Sequence, residues 1–373
     1  MPLIDRKTLA RFDWVFFAVI VLILGIGVLS IYSVSYQPEG ERTPIYLKQI
    51  YWIVLGLTVF ALMAWVDYHE IARLAYPAYA VTLLLLILVL LVGRVGLGAK
   101  RWLSLGVFSI QPSELAKLAL LLVLARYFSE NSPRRGLSFG QLTLPVILTA
   151  LPVLLILKQP DLGTALALCS VFVTLVFLMG LRSRFLIHST FLILMLLPFL
   201  WHFFWTHLKD YQKERLLTFL EPGNDPMGTG YHIIQSKIAI GSGGLLGKGL
   251  FGGTQSQLKF LPESHTDFIF AVFAEEWGFL GVLILLALFV MIVLWGVEIA
   301  YRAKDPLGTL LAAGIVGLLS FVIVVNIGMT LGVMPVVGVP LPLMSYGGTS
   351  MITTLGLLGL LLNVKLRRFM LFY

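Results

Sequence analysis

The stretch Trp14-Val15-Phe16-Phe17-Ala18-Val19-Ile20-Val21-Leu22-Ile23-Leu24-Gly25-Ile26-Gly27-Val28-Leu29-Ser30-Ile31 carries no charged side chain over 18 residues. A helix needs about 20 such residues to cross a bilayer, where its backbone groups must be satisfied within the segment. Arg6, Lys7 and Arg11 precede the run and no small-residue cleavage pattern closes it, so it reads as an uncleaved first span at 14–33. Further apolar runs lie near 47–66, 74–93, 113–128, 142–158, 162–180, 185–206, 267–297, 309–333 and 346–364. The sequence therefore predicts an all-α polytopic integral membrane protein, a single membrane domain over 1–373 with ten transmembrane helices and one large, partly helical extracytoplasmic loop at 207–264. The 113–128 run is short, and the 267–297 run is long enough to tilt or overshoot the bilayer.

Composition agrees. Of 373 residues, 58% are apolar and 12% charged, against about 25% charged in a soluble domain, which excludes a soluble globular enzyme. Cys169 is the single cysteine, so an internal disulfide and a cysteine metal site are excluded. The net charge of +8 is spread over many short loops, which fits membrane topology and not nucleic-acid binding. With a cytoplasmic N-terminus, the inside segments carry Arg6, Lys7 and Arg11; Arg73; Arg126, Arg134 and Arg135; Arg182 and Arg184; Arg302 and Lys304; and Lys365, Arg367 and Arg368. Outside connections are poorer in such residues, apart from 94–117 and Lys158, so the positive-inside rule places both termini in the cytoplasm. The halves of the chain show no repeat, which gives no support to an inverted-repeat transporter.

The loop His207–Ser264 is about 58 residues long, and in it Ile234, Lys237, Ile238 and Ile240, with Tyr231 one turn earlier, make a pattern for an amphipathic helix on the membrane surface. Gly241, Gly243, Gly244, Gly247, Gly249, Gly252 and Gly253 follow, either as a backbone cradle for an anion or as a hinge without ligand.

Ionisable residues beside the spans are costly and therefore informative. Arg101-Trp102 precedes Gln111-Pro112-Ser113-Glu114-Leu115-Ala116-Lys117, where proline opens a helix and Glu114 and Lys117 share a face at i, i+3. Arg101 and Lys117 read as phosphate ligands with Glu114 holding Lys117, or as a snorkelling arginine and a structural ion pair. Asp161, in Lys158-Gln159-Pro160-Asp161-Leu162-Gly163-Thr164, is placed to cap a helix. In Glu263-Ser264-His265-Thr266-Asp267, Thr266 is expected to cap the eighth span with Asp267 in its first turn, where a carboxylate is desolvated yet reachable, as a general base requires. Glu275 and Glu276 lie deeper and need protein or water around them. Asn326 and the stretch from Gly332 through Pro340-Leu341-Pro342 to Ser345-Tyr346-Gly347-Gly348 hold too many prolines and glycines for one helix, so an irregular outer segment shielded by protein is expected. The six histidines share no ligand spacing, so no metal site is identified.

Gly230-Tyr231-His232-Ile233-Ile234-Gln235-Ser236-Lys237, His265-Thr266-Asp267-Phe268-Ile269-Phe270 with Ala274-Glu275-Glu276, and Pro340-Leu341-Pro342 to Gly348 resemble the SEDS family, named for shape, elongation, division and sporulation. The likeness covers nearly the whole chain and is nearer the rod-shape branch, RodA, than the division branch, FtsW. It implies a bacterial cytoplasmic (inner) membrane peptidoglycan glycosyltransferase that polymerises lipid II into β-1,4 glycan strands for elongation. By this resemblance Asp267 is the essential aspartate, Glu114 and Lys117 a polar pair of the central cavity and Arg101 a cation of that cavity. Asp161, Glu275, Glu276, Asn326 and Ser345 would be structural or cavity-lining.

The implied reaction has Asp267 deprotonating the acceptor hydroxyl, with inversion at the donor carbon and release of undecaprenyl pyrophosphate. Arg101 and Lys117, with Lys237, Lys248 or a divalent cation (magnesium or manganese) as further candidates, would stabilise the leaving group. No resident cofactor is expected. The partners implied are lipid II, the growing glycan on undecaprenyl pyrophosphate, a class B penicillin-binding protein transpeptidase, and MreC and MreD. A lipid II flippase or a noncatalytic scaffold for a transpeptidase are the rival readings.

Overall fold

The computed structural model describes residues 12–35, 45–96, 99–105, 108–131, 136–180, 229–258, 260–261 and 263–368, with isolated positions between 182 and 221. Its elements in chain order are α1 (Trp14–Ser35), α2 (Ile45–Trp65), α3 (Tyr68–Arg73), α4 (Ala75–Val92), β1 (Arg94–Gly96), β2 (Ala99–Leu105), β3 (Phe108–Ile110), α5 (Pro112–Glu130), α6 (Phe139–Lys158), α7 (Leu162–Met179), α8 (Thr229–Ser242), α9 (Thr254–Gln257), α10 (Ile269–Tyr301), α11 (Pro306–Thr330) and α12 (Gly348–Arg367). Nine of the ten apolar runs thus appear as helices among the described residues. The seventh run, 185–206, and most of 207–228 lie outside them.

Eight of these helices are long and apolar enough to cross a membrane. The ninth, α5, carries Glu114, Lys117, Arg126 and Glu130 and is shielded instead: thirteen of its nineteen residues, Glu114 and Lys117 included, are buried. α12 is even more enclosed, with almost every residue from Met351 to Val364 buried. Small residues make that possible, because helices in lipid associate through close packing. Gly348 sits against the Trp52 indole and Gly359 against the Phe60 backbone, so α12 and α2 press together.

The connection before α5 contains a three-stranded antiparallel sheet, β1-β2-β3, which an all-helical reading did not anticipate. Strands of 3, 7 and 3 residues give too short an alternation to stand out beside 20-residue apolar runs. The sheet delivers Arg101, on β2, to the hairpin between α6 and α7.

The long run at 267–297 forms a 33-residue helix that is broken within: Gly278 has φ 64° and ψ −166°. From Phe279 to Tyr301 the chain rises about 34 Å, enough by itself to cross a hydrocarbon core of ~30 Å. The turns before Gly278 therefore extend beyond what spanning requires, and they lead back to Asp267.

Candidate active site

Asp267 stands two residues before α10, whose N-cap position is Phe268. The expected arrangement, Thr266 as cap and Asp267 in the first turn, is not the one formed. The Thr266 hydroxyl donates to the Glu263 carboxylate at 2.9 Å and to its carbonyl at 3.2 Å, closing a turn ahead of the helix. That turn leaves three successive carbonyls, of His265, Thr266 and Asp267, facing the irregular segment 331–347. Each has a donor there or on α11. Tyr346 N–H donates to His265 O at 2.8 Å, the Ser345 hydroxyl to Thr266 O at 2.6 Å and Asn326 Nδ2 to Asp267 O at 3.0 Å. Asn326, buried on α11, donates also to Val339 O at 2.7 Å, and Ser345 Oγ accepts from Leu341 N–H at 2.8 Å. Asn326 and Ser345 thus clamp the strip that carries Asp267 onto the proline-rich segment.

The Asp267 carboxylate lies beside Gly338, whose φ is 73°. A Cβ at that position would come 3.4 Å from Asp267 Oδ2, an ordinary contact, so it is the left-handed turn that calls for glycine. The next elements around the segment are the starts of α7 and α5. Asp161 is the N-cap of α7, as its place in the sequence suggested, and accepts from Thr164 N–H at 3.2 Å and Thr164 Oγ1 at 2.9 Å. It also accepts from Gln111 Nε2 at 3.2 Å and Ser113 Oγ at 3.4 Å, tying α7 to the first turn of α5. Gly163 in turn packs on Val337 and Val339.

Inside that ring, Lys117 Nζ is 2.8 Å from the Glu114 carboxylate, and both side chains are buried. They share the i, i+3 face that the sequence places them on. Lys117 faces a small cavity whose walls include Leu318, Val322, Pro340, Pro342 and Thr353. Pro340 follows Val339, so the Asn326 amide joins the Asp267 backbone directly to the wall of the Lys117 cavity. Arg101 approaches from outside, donating from Nε to Gln159 O at 3.1 Å and from a terminal nitrogen to Pro160 O. Its guanidinium is thereby held at the α6–α7 hairpin, next to the Asp161 cap.

Two further cations and two carboxylates are arranged otherwise. Lys237 is exposed on α8, its stem lying over Gly332 at the end of α11. α8 itself packs against protein: Ile233, Ser236 and Ala239 are buried, and the Ser236 hydroxyl donates to Thr330 O at 2.7 Å. Lys248 pairs with the fully buried Glu275 at 2.7 Å. Glu275 also accepts from Thr254 N–H at 2.8 Å and Gln255 N–H at 3.2 Å, while Glu276 accepts from the Ser33 hydroxyl and from Phe251 N–H at 3.3 Å.

The glycine run is explained by the break at Gly278. Lys248 N–H donates to Glu275 O at 3.0 Å and Gly249 N–H to Glu276 O at 2.9 Å, while Phe279 N–H donates to Gly244 O at 2.9 Å and Leu280 N–H to Leu245 O at 3.1 Å. The loop so supplies partners for the backbone groups that the break orphans. Burial holds the His265 imidazole below its usual pKa, against the smaller opposing effect of the Glu263 charge. Among the described residues no group of three His, Cys, Asp or Glu side chains converges as a metal cage.

The chain is similar to known proteins over nearly its whole length. The model of the FtsW, RodA and SpoVE family, described as cell cycle proteins, matches residues 13–369. The peptidoglycan glycosyltransferase MrdB of Escherichia coli K12 is 43% identical over 347 residues, 92% of each chain. A chain of a solved peptidoglycan synthase complex, described as coordinating polymerization and crosslinking, superposes with a TM-score of 0.80 at 40% identity, covering 96% of this chain and 98% of that one. The rod-shape-determining protein RodA of Thermus thermophilus superposes with a TM-score of 0.70 at 34% identity, covering 96% and 98%.

Proposed function

This chain belongs to the family of FtsW, RodA and SpoVE, and on that footing we propose that it is a peptidoglycan glycosyltransferase of the rod-shape branch, polymerising lipid II with Asp267 as its general base. The observation that carries the assignment of Asp267 is the clamp of three successive carbonyls, His265 to Asp267, onto Tyr346, Ser345 and Asn326. A base must be held within hydrogen-bond reach of the proton it takes, and a carboxylate on a fixed backbone strip beside a glycine meets that demand.

In this reading the growing glycan on undecaprenyl pyrophosphate is the donor and lipid II the acceptor. Asp267 takes the proton of the acceptor's N-acetylglucosamine 4-hydroxyl as its oxygen attacks the donor's anomeric carbon from the face opposite the leaving group. The bond to the pyrophosphate oxygen breaks with inversion, giving a β-1,4 link and free undecaprenyl pyrophosphate. Lys117, oriented by Glu114, faces the developing negative charge, because a fixed cation in a site with few waters lowers the barrier more than a mobile one. Arg101, Lys237 and Lys248 stand further out, the last already paired with Glu275. A magnesium or manganese ion would arrive as counter-ion of the pyrophosphate, since the described residues supply no cage of their own.

The same reading places the chain in the bacterial cytoplasmic membrane, both termini in the cytoplasm and Asp267 at the outer face, with a class B penicillin-binding protein transpeptidase as partner and MreC and MreD in the same assembly. The likeness to a chain of a synthase complex that couples polymerization to crosslinking supports the transpeptidase. The test uses purified protein, with and without that transpeptidase, incubated with labelled lipid II and a divalent cation. Wild type is expected to make glycan chains, and Asp267→Ala and Asp267→Asn to make none while staying folded and partner-bound. Chains that persist in both variants would remove Asp267 from the role of base, and an activated wild type that makes none would favour lipid II transport.

A further inference from the structure

The small cavity that Lys117 faces has a second polar wall, on α12. That helix turns Ser350, Thr353 and Thr354 toward it, positions i, i+3 and i+4 of one face, and apart from Lys117 the other walls are leucine, valine and proline side chains with nothing to donate. α5 and α12 start at one joint, where Gln111 N–H donates to Thr349 Oγ1 at 3.2 Å. From that joint Lys117 lies about 9 Å along α5 and Thr353 about 6 Å along α12, so the two reach the cavity at similar depth.

Thr353 is 4% exposed, and its hydroxyl has no hydrogen-bond partner among the described residues. Thr82, Thr149 and Thr174, inside α4, α6 and α7, behave otherwise. Each turns its hydroxyl back to the carbonyl four residues earlier, of Ala78, Pro145 and Ser170, at 2.8 Å. Thr353 makes no such bond, and a buried hydroxyl left unpaired is costly unless a ligand completes it. Lys117 is in a similar position. An ammonium carries three N–H donors, and among the described residues the Glu114 carboxylate is the acceptor that Lys117 Nζ has. The cavity has room for about one oxygen-sized group and none for a sugar ring. Lysine can only donate, and a hydroxyl can rotate to donate beside it, so the occupant that suits both is an oxygen bearing negative charge.

We infer that the Thr353 hydroxyl is the second donor, beside Lys117, to one phosphoryl oxygen of the polyprenyl pyrophosphate that leaves in the reaction. This rests on the reading of the chain as a lipid II polymerase. Negative charge gathers on the pyrophosphate as its bond to the sugar breaks, so the contact is stronger in the transition state than before it.

The test measures binding of undecaprenyl pyrophosphate and of undecaprenol by the purified full chain, beside polymerisation of lipid II and thermal unfolding without ligand. Thr353→Val keeps the shape of the side chain and deletes the hydroxyl. It is expected to bind the pyrophosphate about tenfold less tightly, to polymerise about tenfold more slowly and to bind undecaprenol as wild type does. Thr353→Ser should restore binding and rate. Without ligand, Thr353→Val should unfold at the wild-type temperature or above, because the hydroxyl it removes has no partner to lose. A Thr353→Val protein that binds the pyrophosphate like wild type but melts earlier would overturn the inference and assign the hydroxyl to a structural water. Thr353→Ala is the second hydroxyl-free variant, should the valine form not fold. Wild type that neither binds the pyrophosphate nor makes glycan would sink the polymerase reading itself. Wild type that does both, matched by the hydroxyl-free variants, would sink the Thr353 contact alone.

Discussion

Asn326→Ala is the perturbation most directly aimed at the clamp. Asn326 is fully buried, and its Nδ2 donates to Asp267 O at 3.0 Å and Val339 O at 2.7 Å. Truncation leaves two buried carbonyls each short of a donor, at about 1–3 kcal/mol per group, so about 2–6 kcal/mol in all before relaxation. That energy divides between stability and loosening of the strip. A displacement of about 1 Å at a reacting group can cost on the order of a hundredfold in rate, so a ten- to hundredfold drop in kcat is expected. KM for lipid II should change little, because Asn326 is not among the walls of the Lys117 cavity. Polymerisation of labelled lipid II, resolved by chain length, measures the rate, and thermal unfolding in detergent measures the stability. Ser345→Ala, which removes the donor to Thr266 O at 2.6 Å, serves as the second arm of a double-mutant cycle. The two substitutions should couple, since they release neighbouring carbonyls of one strip. A variant that polymerises at the wild-type rate, or two changes that add with no coupling, would refute the view that these side chains fix Asp267.

Glu275→Gln should lower the thermal midpoint by the equivalent of about 1–3 kcal/mol and speed hydrogen exchange at Thr254 and Gln255, whose N–H groups its carboxylate accepts. Lys248→Ala should lower the midpoint at least as much, because it leaves the buried Glu275 carboxylate without its cation. Gly247→Ala should be strongly destabilising, by about 2 kcal/mol or more, since φ is 81° and the new methyl would run into the Glu276 carbonyl. Gly249→Ala, with φ 85° but open space around it, should show only the backbone cost of about 1–2 kcal/mol in the same melt. Burial depresses the His265 pKa, so near its usual value of 6.5 the unfolded chain binds more protons than the folded one. Stability should therefore rise with pH through that value and fall below it, and His265→Gln should flatten the slope between about pH 5 and 7. An unchanged slope in melts across that range would exclude His265 as its source.

What the sequence made legible follows from how far each signal reaches along the chain. Runs of about 20 apolar residues are local and show the spans directly, as do i, i+3 pairs such as Glu114 and Lys117 and a cap such as Asp161. The clamp around Asp267 is not local. Asn326 and Ser345 were marked as polar residues near an irregular outer segment, but their partners lie 59 and 79 positions away in sequence. Thr266 illustrates the same limit: Glu263, three residues earlier, outcompetes the helix for its hydroxyl. The small sheet at 94–110 was hidden because its strands are short and sit between much stronger apolar runs. The network at the other face, where the Tyr68 hydroxyl donates to Asp305 at 2.6 Å and His69 Nε2 lies 2.9 Å from the same carboxylate, joins α3 to α11 over more than 230 positions and left no pattern to read.

The break at Gly278 connects these observations. An unbroken helix of 33 residues would either tilt steeply or push its first turns out of the bilayer along one straight axis, leaving Glu275 and Glu276 on a surface with nothing to pair them. Interrupting it exposes carbonyls at 275 and 276 and amides at 279 and 280, a cost that only another backbone passing close by can remove. The run 243–253 passes that close because it lacks side chains at Gly243 and Gly247, where a Cβ would strike the backbone of residues 274–277. The same loop carries Lys248, Thr254 and Gln255 to the Glu275 carboxylate and Phe251 N–H to Glu276. Break, glycine run and paired glutamates are thus one structure, and its effect is to fix the direction in which the outer turns of α10 leave the membrane. Asp267 lies at the end of those turns, so its position is determined from both sides: by the glycine loop through α10 behind it, and by Asn326, Ser345 and Tyr346 in front.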